Sequence, residues 1–354
     1  MKTRAAILHQ MQLARPYSHS APLKIEEVSL DDPGYNEVLV KIRAAGLCHS
    51  DLSVIDGNRP RPLPLALGHE AAGEIVALGE GVQKLVVGDH VVFAFLPSCG
   101  SCSFCQTGKA ALCETGAKAN ANGTLTGGHR RIHNNGNYYN HHLGVSGFAE
   151  YAVASTDSLV KIEKDIPFEI SALFGCAVMT GVGTITNTAQ LKLGESVLVV
   201  GLGGVGLAAI LGAVAAGATQ IIAADVNPKK REFAKQLGAH FTFDSSEKCA
   251  LEDIKELTNG GVDVSAEFAG VIPALDFAFQ ATKRGGTTVT AALPHPNAKL
   301  KISPATLVGQ EKSLKGSYLG GCVPSRDIPA YVELYKVKII IQSQSYINHK
   351  VNLL

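Results

Sequence analysis

Short apolar runs broken by Gly, Asp and Pro organise this chain, and their spacing changes partway along it. Up to about residue 150 the segments Val38-Leu39-Val40-Lys41-Ile42, Gly73-Glu74-Ile75-Val76 and Asp89-His90-Val91-Val92-Phe93 predict short strands in a β-rich lobe. Residues 117–142, dense in Asn, Gly and His, predict a long surface loop. From about Val178 strands and helices alternate. Within residues 196–200 the apolar run that follows Ser196 is unbroken, as in a buried parallel strand. A helix over 205–216, a strand over 220–225 and a helix over 229–237, stopped at Gly238, follow. Further strands are predicted at 262–264 and 286–290. Units of this length predict an α/β fold with a doubly wound parallel sheet. The expected division is 1–177 for the first lobe, 178–320 for the sheet domain, and 321–354 returning to the first lobe. No internal repeat interrupts this plan.

Composition narrows the partners. The 354 residues exceed one ordinary domain, and 46% hydrophobic against 18% charged residues excludes a disordered chain. Thirty-two basic and thirty-one acidic residues leave a net charge of +1, with no basic surplus for a phosphate backbone, so nucleic acid is not an expected partner. The start, MKTRAAILHQ, lacks the apolar core of a signal peptide, and apolar stretches such as 207–218 fall short of a membrane span. A cytoplasmic protein without a membrane partner is expected.

The segment Gly201-Leu202-Gly203-Gly204-Val205-Gly206 fits G-x-G-x-x-G between a predicted strand and helix, the context a dinucleotide site requires. The first Gly serves the turn, the second lets backbone approach a pyrophosphate, and the third allows close helix–strand packing. Asp225 ends the next strand, where a carboxylate accepts from ribose hydroxyls and repels a 2′-phosphate, favouring NAD over NADP. The competing reading is a Gly-rich turn kept for packing, with Asp225 capping a turn.

Eight cysteines without a secretory signal suggest thiol or metal chemistry. Cys99, Cys102, Cys105 and Cys113 can close a tetrahedral shell around a structural zinc. An iron–sulfur cluster shares the first two spacings, but its bacterial pattern places the fourth Cys after three residues, with Pro following. Here the gap is seven and Glu114 follows. Paired disulfides are disfavoured in a reducing compartment. Cys249 and Cys322 read as packing residues. Cys48, His69 and Cys176, distant in sequence, would give zinc two thiolates, one imidazole and an open fourth position. Taken singly, each also reads as a buried Cys or a hydrogen-bonded His.

These motifs carry a resemblance. GHEAAG at 68–73, the four-Cys segment and GLGGVG at 201–206 occur in an order and spacing similar to zinc-dependent alcohol dehydrogenases of the medium-chain dehydrogenase/reductase family, over nearly the whole chain. The resemblance implies a GroES-like catalytic domain joined to a Rossmann domain, with the active site between them. It implies that Cys48, His69 and Cys176 bind the catalytic zinc, with Glu70 behind the metal and Asp51 on the other nitrogen of His69. His49 would face the pyrophosphate, Lys230 the adenosine ribose beside Asp225, and Thr180 and Val205 the nicotinamide. Phe95, His142 and Leu143 fall where the family lines its substrate pocket, although Phe95 also reads as core packing. Ser50 would take the proton from a zinc-bound alcohol, leaving a zinc-bound alkoxide that gives hydride to the nicotinamide.

The implied function is reversible oxidation of primary, medium-chain or aromatic alcohols with NAD and two zinc ions per subunit. The resemblance of residues 113–148 to the longer loop of dimeric relatives points to a homodimer. A glutathione-dependent formaldehyde dehydrogenase shares this fold and these ligands, whereas polyol dehydrogenases commonly carry Glu where this chain has Cys176. Two positions depart from the family. Ser53 stands where many relatives end the proton relay with His, which predicts a shifted pH–rate profile. The sequence stops at Leu354, where relatives continue with a helix and a strand. The expectation attached to that end is lost burial and stability, and a catalytically silent zinc- and nucleotide-binding protein as the non-enzyme alternative.

Overall fold

The computed structural model describes residues 1–339. The residues after 339 lie outside that description, and with them the expectation attached to the C-terminal end. The chain divides into two compact units: Met1–Cys176 with Val323–Pro329, and Ala177–Cys322 with the described residues from Ala330 on.

The first unit holds two β-systems. Strands Lys2–Leu8, Leu23–Leu30, Ile132–Asn134, Asn137–His141 and Leu65–Ala66 close into a small barrel. Its interior is filled by Ile7, Val28, Leu30, Leu125, Ile132 and Tyr139. Beside them in sequence, Leu159–Ile162, His90–Phe93, Glu70–Leu78, Glu37–Gly46 and Tyr151–Ser155 form an antiparallel five-stranded sheet in that order. The strands predicted at 38–42 and 73–76 fall inside this sheet, and the one predicted at 89–93 does so from His90 on.

Residues 117–142 correct the expected surface loop. Glu114–Asn122 is a helix, and Ile132–Asn134 and Asn137–His141 pair as an antiparallel hairpin that belongs to the barrel. The Asn- and His-rich composition concealed this because the polar side chains are buried with partners. The Asn140 amide donates to the Pro64 carbonyl at 2.9 Å and its oxygen accepts from Arg130 Nε at 2.9 Å. Backbone N–H of Arg131 donates to His141 Nε2 at 3.1 Å. Satisfied polar groups can occupy core positions that composition alone assigns to solvent.

The second unit is a six-stranded all-parallel sheet in the order Phe241–Phe243, Gln220–Ala224, Ser196–Val200, Val262–Glu267, Thr282–Thr290, Ser313–Gly316. In chain order this is 3-2-1-4-5-6, the doubly wound arrangement of dinucleotide-binding domains. The predicted helices match Gly204–Ala215 and Pro228–Gln236 within a residue or so. Leu198, Val200, Ile222 and Ala224 pack with Ile254, Val262, Ala278 and Ala281 to fill one face.

Phe168–Ala189 is a 22-residue helical run that the sequence reading passed over. It is long and apolar enough to cross a membrane by length and composition, but 83% of its most apolar window is buried, as in a core helix. Its turn at Phe174–Val178 is π-helical, a local widening often found at functional sites. Cys322 is buried, with Sγ 3.3 Å from the Met179 carbonyl oxygen. Cys249 is exposed, which corrects its reading as a packing residue: it lies just before the Ala250–Leu257 helix, whose buried face is carried by Ala250 and Ile254.

Candidate active site

Three elements of the first unit deliver the residues singled out around Cys48. The Glu37–Gly46 strand ends two residues before Cys48, which is the N-cap of the His49–Ile55 helix. His69 sits between the Leu65–Ala66 and Glu70–Leu78 strands, and Cys176 lies on the π-helical turn. The ligand-capable atoms of Cys48, His69, Glu70 and Cys176 all lie within 4.8 Å of one another. His69, Glu70 and Cys176 are buried, and Cys48 is half-buried.

Asp51 ties this group together. Its Oδ2 accepts from the Cys48 backbone N–H at 3.1 Å, and its Oδ1 faces His69 Nδ1 at 2.9 Å. Both side chains are almost fully buried. Burial alone would raise the carboxyl, but the charge of His69, the close polar approach of His142 and the His69 hydrogen bond outweigh it and hold Asp51 well below the usual carboxylate range. Burial would likewise depress His69, and the Asp51 carboxylate with the Cys48 thiolate reverses this and stabilises positive charge there. An anionic pocket of this kind favours a cation facing the free ring nitrogen.

The donor geometry fits zinc. Cys176 Sγ lies 3.6 Å from His69 Nε2. Bonds of about 2.3 Å to sulfur and 2.1 Å to nitrogen around a tetrahedral ion give an edge of about 3.6 Å. With Nδ1–H donated to Asp51, Nε2 is left with its lone pair directed at that position.

Phe95 and His142 flank the group. The His69 ring meets each edge-to-face at a centroid distance of 5.5 Å. His142 Nδ1 is 3.4 Å from Asp51 Oδ1, outside the geometry of a hydrogen bond, and burial lowers its basicity. His142 therefore stands beside the Asp51–His69 pair, a neighbour 91 positions away in sequence that no local pattern announces. Leu143 is buried with φ of 56° in a tight turn where Val145 N–H donates to the His142 carbonyl at 3.0 Å. Ser50 is half-buried and His49 exposed. The buried Ser53 hydroxyl donates to the His49 carbonyl at 3.1 Å, one turn back along the helix.

Cys99, Cys102, Cys105 and Cys113 also converge, all four sulfurs lying within 4.8 Å of one another. Cys102 and Cys113 are 4.0 Å apart, close to the roughly 3.8 Å edge of a tetrathiolate zinc shell. Burial raises Cys113 and Cys105, while bonds from Ser101 and Cys102 outweigh burial and lower Cys99. Four adjacent sulfurs cannot all ionise without a cation among them, and their spacing could hold a metal ion.

In the second unit the glycine motif lies between the Ser196–Val200 strand and the Gly204–Ala215 helix. Gly203 has no neighbouring atom within 4 Å of an added Cβ, leaving a cradle open to a ligand, whereas a Cβ on Gly206 would collide with the Gly201 carbonyl. Gly204 opens the Gly204–Ala215 helix, so N–H groups at its start face that cradle. Asp225 Oδ2 accepts from Leu202 N–H and Oδ1 from Asn227 N–H, both at 2.8 Å, binding the turn to the end of the adjoining strand. Lys230 Nζ stands 3.9 Å from Asp225 Oδ2. Thr180 and Val205 lie on the packed Met179–Gly183 and Gly204–Ala215 helices.

Glu267, which the sequence reading missed, completes the turn. Its buried carboxylate accepts from Gly270 N–H at 2.6 Å and from the Thr290 hydroxyl at 2.8 Å, and burial raises its pKa. An acidic residue ending the apolar strand Val262–Glu267 was the available signal.

Comparison with known proteins shows the family. Residues 34–164 match the alcohol dehydrogenase GroES-like domain, and residues 204–336 match the zinc-binding dehydrogenase family. The NDMA-dependent alcohol dehydrogenase of Amycolatopsis methanolica is 38% identical over 340 residues, covering 95% of this chain and 89% of that protein. The S-(hydroxymethyl)glutathione dehydrogenase of Synechocystis is 37% identical over 357 residues, covering 100% and 94%. The crystal structure of benzyl alcohol dehydrogenase from Acinetobacter calcoaceticus superposes with a TM-score of 0.89 at 32% identity, covering 96% and 91%. With both domain families matched in order and these relatives spanning nearly its full length, the chain belongs to the zinc-dependent alcohol dehydrogenases of the medium-chain dehydrogenase/reductase family, oxidoreductases that work on small molecules with zinc and a nicotinamide nucleotide.

Proposed function

We propose that this enzyme interconverts primary alcohols, medium-chain aliphatic or aromatic, with their aldehydes, using NAD, and that each chain holds two zinc ions. The observation that carries the reading is the convergence of Cys48, His69 and Cys176 within 4.8 Å, with Asp51 fixing the imidazole. The second zinc belongs to Cys99, Cys102, Cys105 and Cys113, a closed shell with a structural role. Asp225 supports NAD, because its carboxylate stands where a 2′-phosphate would be repelled. The nearby Arg231 guanidinium is engaged with Asp244 at 2.9 Å and with the Asp225 carbonyl at 2.7 Å, so it is not free for a phosphate. A homodimer follows from the likeness of residues 113–148 to dimeric relatives.

Zinc at the first site supplies the Lewis-acid charge that acidifies an alcohol, and the nicotinamide supplies the hydride acceptor. The chain's own residues do the rest. Asp51 holds His69 in one tautomer and keeps Cys48 in place. Glu70 stands behind the ligand set. Phe95, packed edge-on against His69, excludes water from that flank. Ser50, half-buried two residues from Cys48, passes the substrate proton outward. Gly203 and the start of the following helix receive the dinucleotide phosphates, with His49 contributing a further contact to them. Asp225 and Lys230 hold the adenosine ribose, and Thr180 and Val205 position the nicotinamide.

The test is NADH formation by zinc-loaded protein with benzyl alcohol and with hexanol at saturating NAD. Turnover of both supports the reading, and silence from folded protein carrying both zincs overturns it. A second reading, a glutathione-dependent formaldehyde dehydrogenase, is favoured by the full-length match to S-(hydroxymethyl)glutathione dehydrogenase. Formaldehyde oxidation that requires glutathione and exceeds benzyl alcohol turnover would select it.

A further inference from the structure

The sheet domain carries a second concavity, at the edge opposite its glycine-rich turn. Gly201–Gly206 follows the carboxyl end of Ser196–Val200, whereas this cavity, about 330 Å³, lies at the amino ends of Thr282–Thr290 and Ser313–Gly316. Its wall includes Lys255, Arg284 and Lys312 with Thr306, Gln310 and Phe279, and among the described residues no acidic one lines it. Three cations around one cleft with no lining carboxylate repel one another until an anion enters.

The backbone places one of those cations deliberately. Between Val262↔Thr282 and Val264↔Thr287 the neighbouring strand advances two residues while this one advances five, so residues 283–286 bulge from the ladder. Bulges re-aim side chains, and this one carries Arg284. It is pinned in place: Gly285 N–H donates to the Gln310 carbonyl at 2.8 Å, and Arg284 Nη2 donates to the Gly309 carbonyl at 3.3 Å. The neighbouring Lys283 is engaged elsewhere, in an ion pair with Asp263. Lys312 is half-buried and spends one of its three N–H donors on the Phe279 carbonyl at 3.0 Å. Burial first, then the Lys255 charge, lower its affinity for a proton. Lys255 pairs with the exposed Glu252 carboxylate at 3.8 Å.

We propose that this cavity binds a small multiply charged anion of the phosphate class, either free phosphate or a phosphate monoester. Arg284 offers a planar fork for two oxygens, Lys255 and Lys312 add point charges, and the Thr306 hydroxyl and Gln310 amide complete a polar lining. The alternative role for the lysines is to offset carbonyls at the ends of the Ala250–Leu257 and Ile272–Ala281 helices.

Equilibrium dialysis of labelled inorganic phosphate against zinc-loaded enzyme saturated with NAD tests this, because the dinucleotide then occupies its own phosphate cradle. One saturable site per chain is expected, weakened about tenfold or more in Arg284→Gln and unchanged in Lys283→Gln. Glycerol phosphate displacing the label at lower concentration than unlabelled phosphate supports the site and identifies a monoester; the reverse order supports it and identifies free phosphate. Absence of saturable binding, or equal binding by wild type and Arg284→Gln, overturns the proposal and leaves the cations as helix-end partners.

Discussion

Replacing Asp51 with Asn tests whether one carboxylate sets the metal affinity of the site. The two oxygens of Asp51 serve different partners, the Cys48 N–H at 3.1 Å and His69 Nδ1 at 2.9 Å. An Asn has a single oxygen. If that oxygen accepts from His69, its NH2 confronts the Cys48 N–H, two donors face to face in a buried position, and Cys48 loses its anchor. If the amide turns over, its NH2 can only donate to Nδ1, which moves the ring proton to Nε2, the atom 3.6 Å from Cys176 that a metal needs. Both routes weaken zinc, by about 10–100-fold or roughly 1.4–2.7 kcal/mol, the range for losing a carboxylate behind a metal-bound His. Competition with a chromophoric chelator reads both zincs in one titration. The four-Cys site serves as the internal control and should hold its zinc unchanged. Equal affinity at the Cys48 site in a folded Asp51→Asn protein would refute the reasoning and reduce Asp51 to a helix-capping residue.

Four further outcomes are expected. In Cys105→Ser, metal analysis should find one zinc fewer per chain, with a lowered melting temperature; a full zinc complement would contradict the shared four-sulfur shell. Asp225→Asn keeps one acceptor but not the charge, so the ratio of kcat/KM for NAD over NADP should drop about tenfold or more; an unchanged ratio would place selectivity elsewhere. His141 is buried, and burial with the charges of Arg130 and Arg131 lowers its pKa to about 3. The native ring stays neutral where the unfolded one protonates, so its contribution is complete above about pH 6.5 and is lost as pH falls towards 3, roughly 1.3 kcal/mol between pH 7 and 5.5. Urea unfolding should show this pH slope flattened in His141→Gln, and an equal slope would exclude His141 as its source. Finally, Ser53→His exchanges a hydroxyl committed to the His49 carbonyl for a titratable ring and should move the pH–rate profile; superimposable profiles would remove this position from the proton path.

The sheet domain was legible because its signals are local. Unbroken apolar runs such as 197–200 are what a strand buried on both faces must have, and the glycines that follow have backbone reasons visible in six residues. The four-Cys cluster was legible for the same reason, its donors lying within fifteen positions. The barrel hairpin was not. Asn140 and His141 look like loop residues until Pro64, Arg130 and Arg131, distant or on facing segments, are seen to satisfy them. Cys48, His69 and Cys176 could be grouped only through resemblance, since no periodicity links residues separated by 107 positions. The approach of His142 to Asp51 and the closure of the turn by Glu267 are tertiary facts of the same kind.

The path of the chain through the two units also constrains its birth on the ribosome. Barrel strand Lys2–Leu8 pairs with Leu23–Leu30 early, but the ring closes only when Ile132–His141 has been made, and the same unit recruits Val323–Pro329 much later in synthesis. The nucleotide-binding unit draws its sheet from the continuous stretch Ala177–Cys322. Both units wait on a late segment, the first on Val323–Pro329 and the second on the described residues from Ala330 on, but the six described strands of the second are all made by Gly316, before the first receives its last described segment. For that interval the nascent chain carries an unfinished lobe in which the donors of both proposed zinc sites are already synthesised, so, with zinc bound as proposed, its supply during translation, and not only after it, would bear on how much active enzyme a cell obtains.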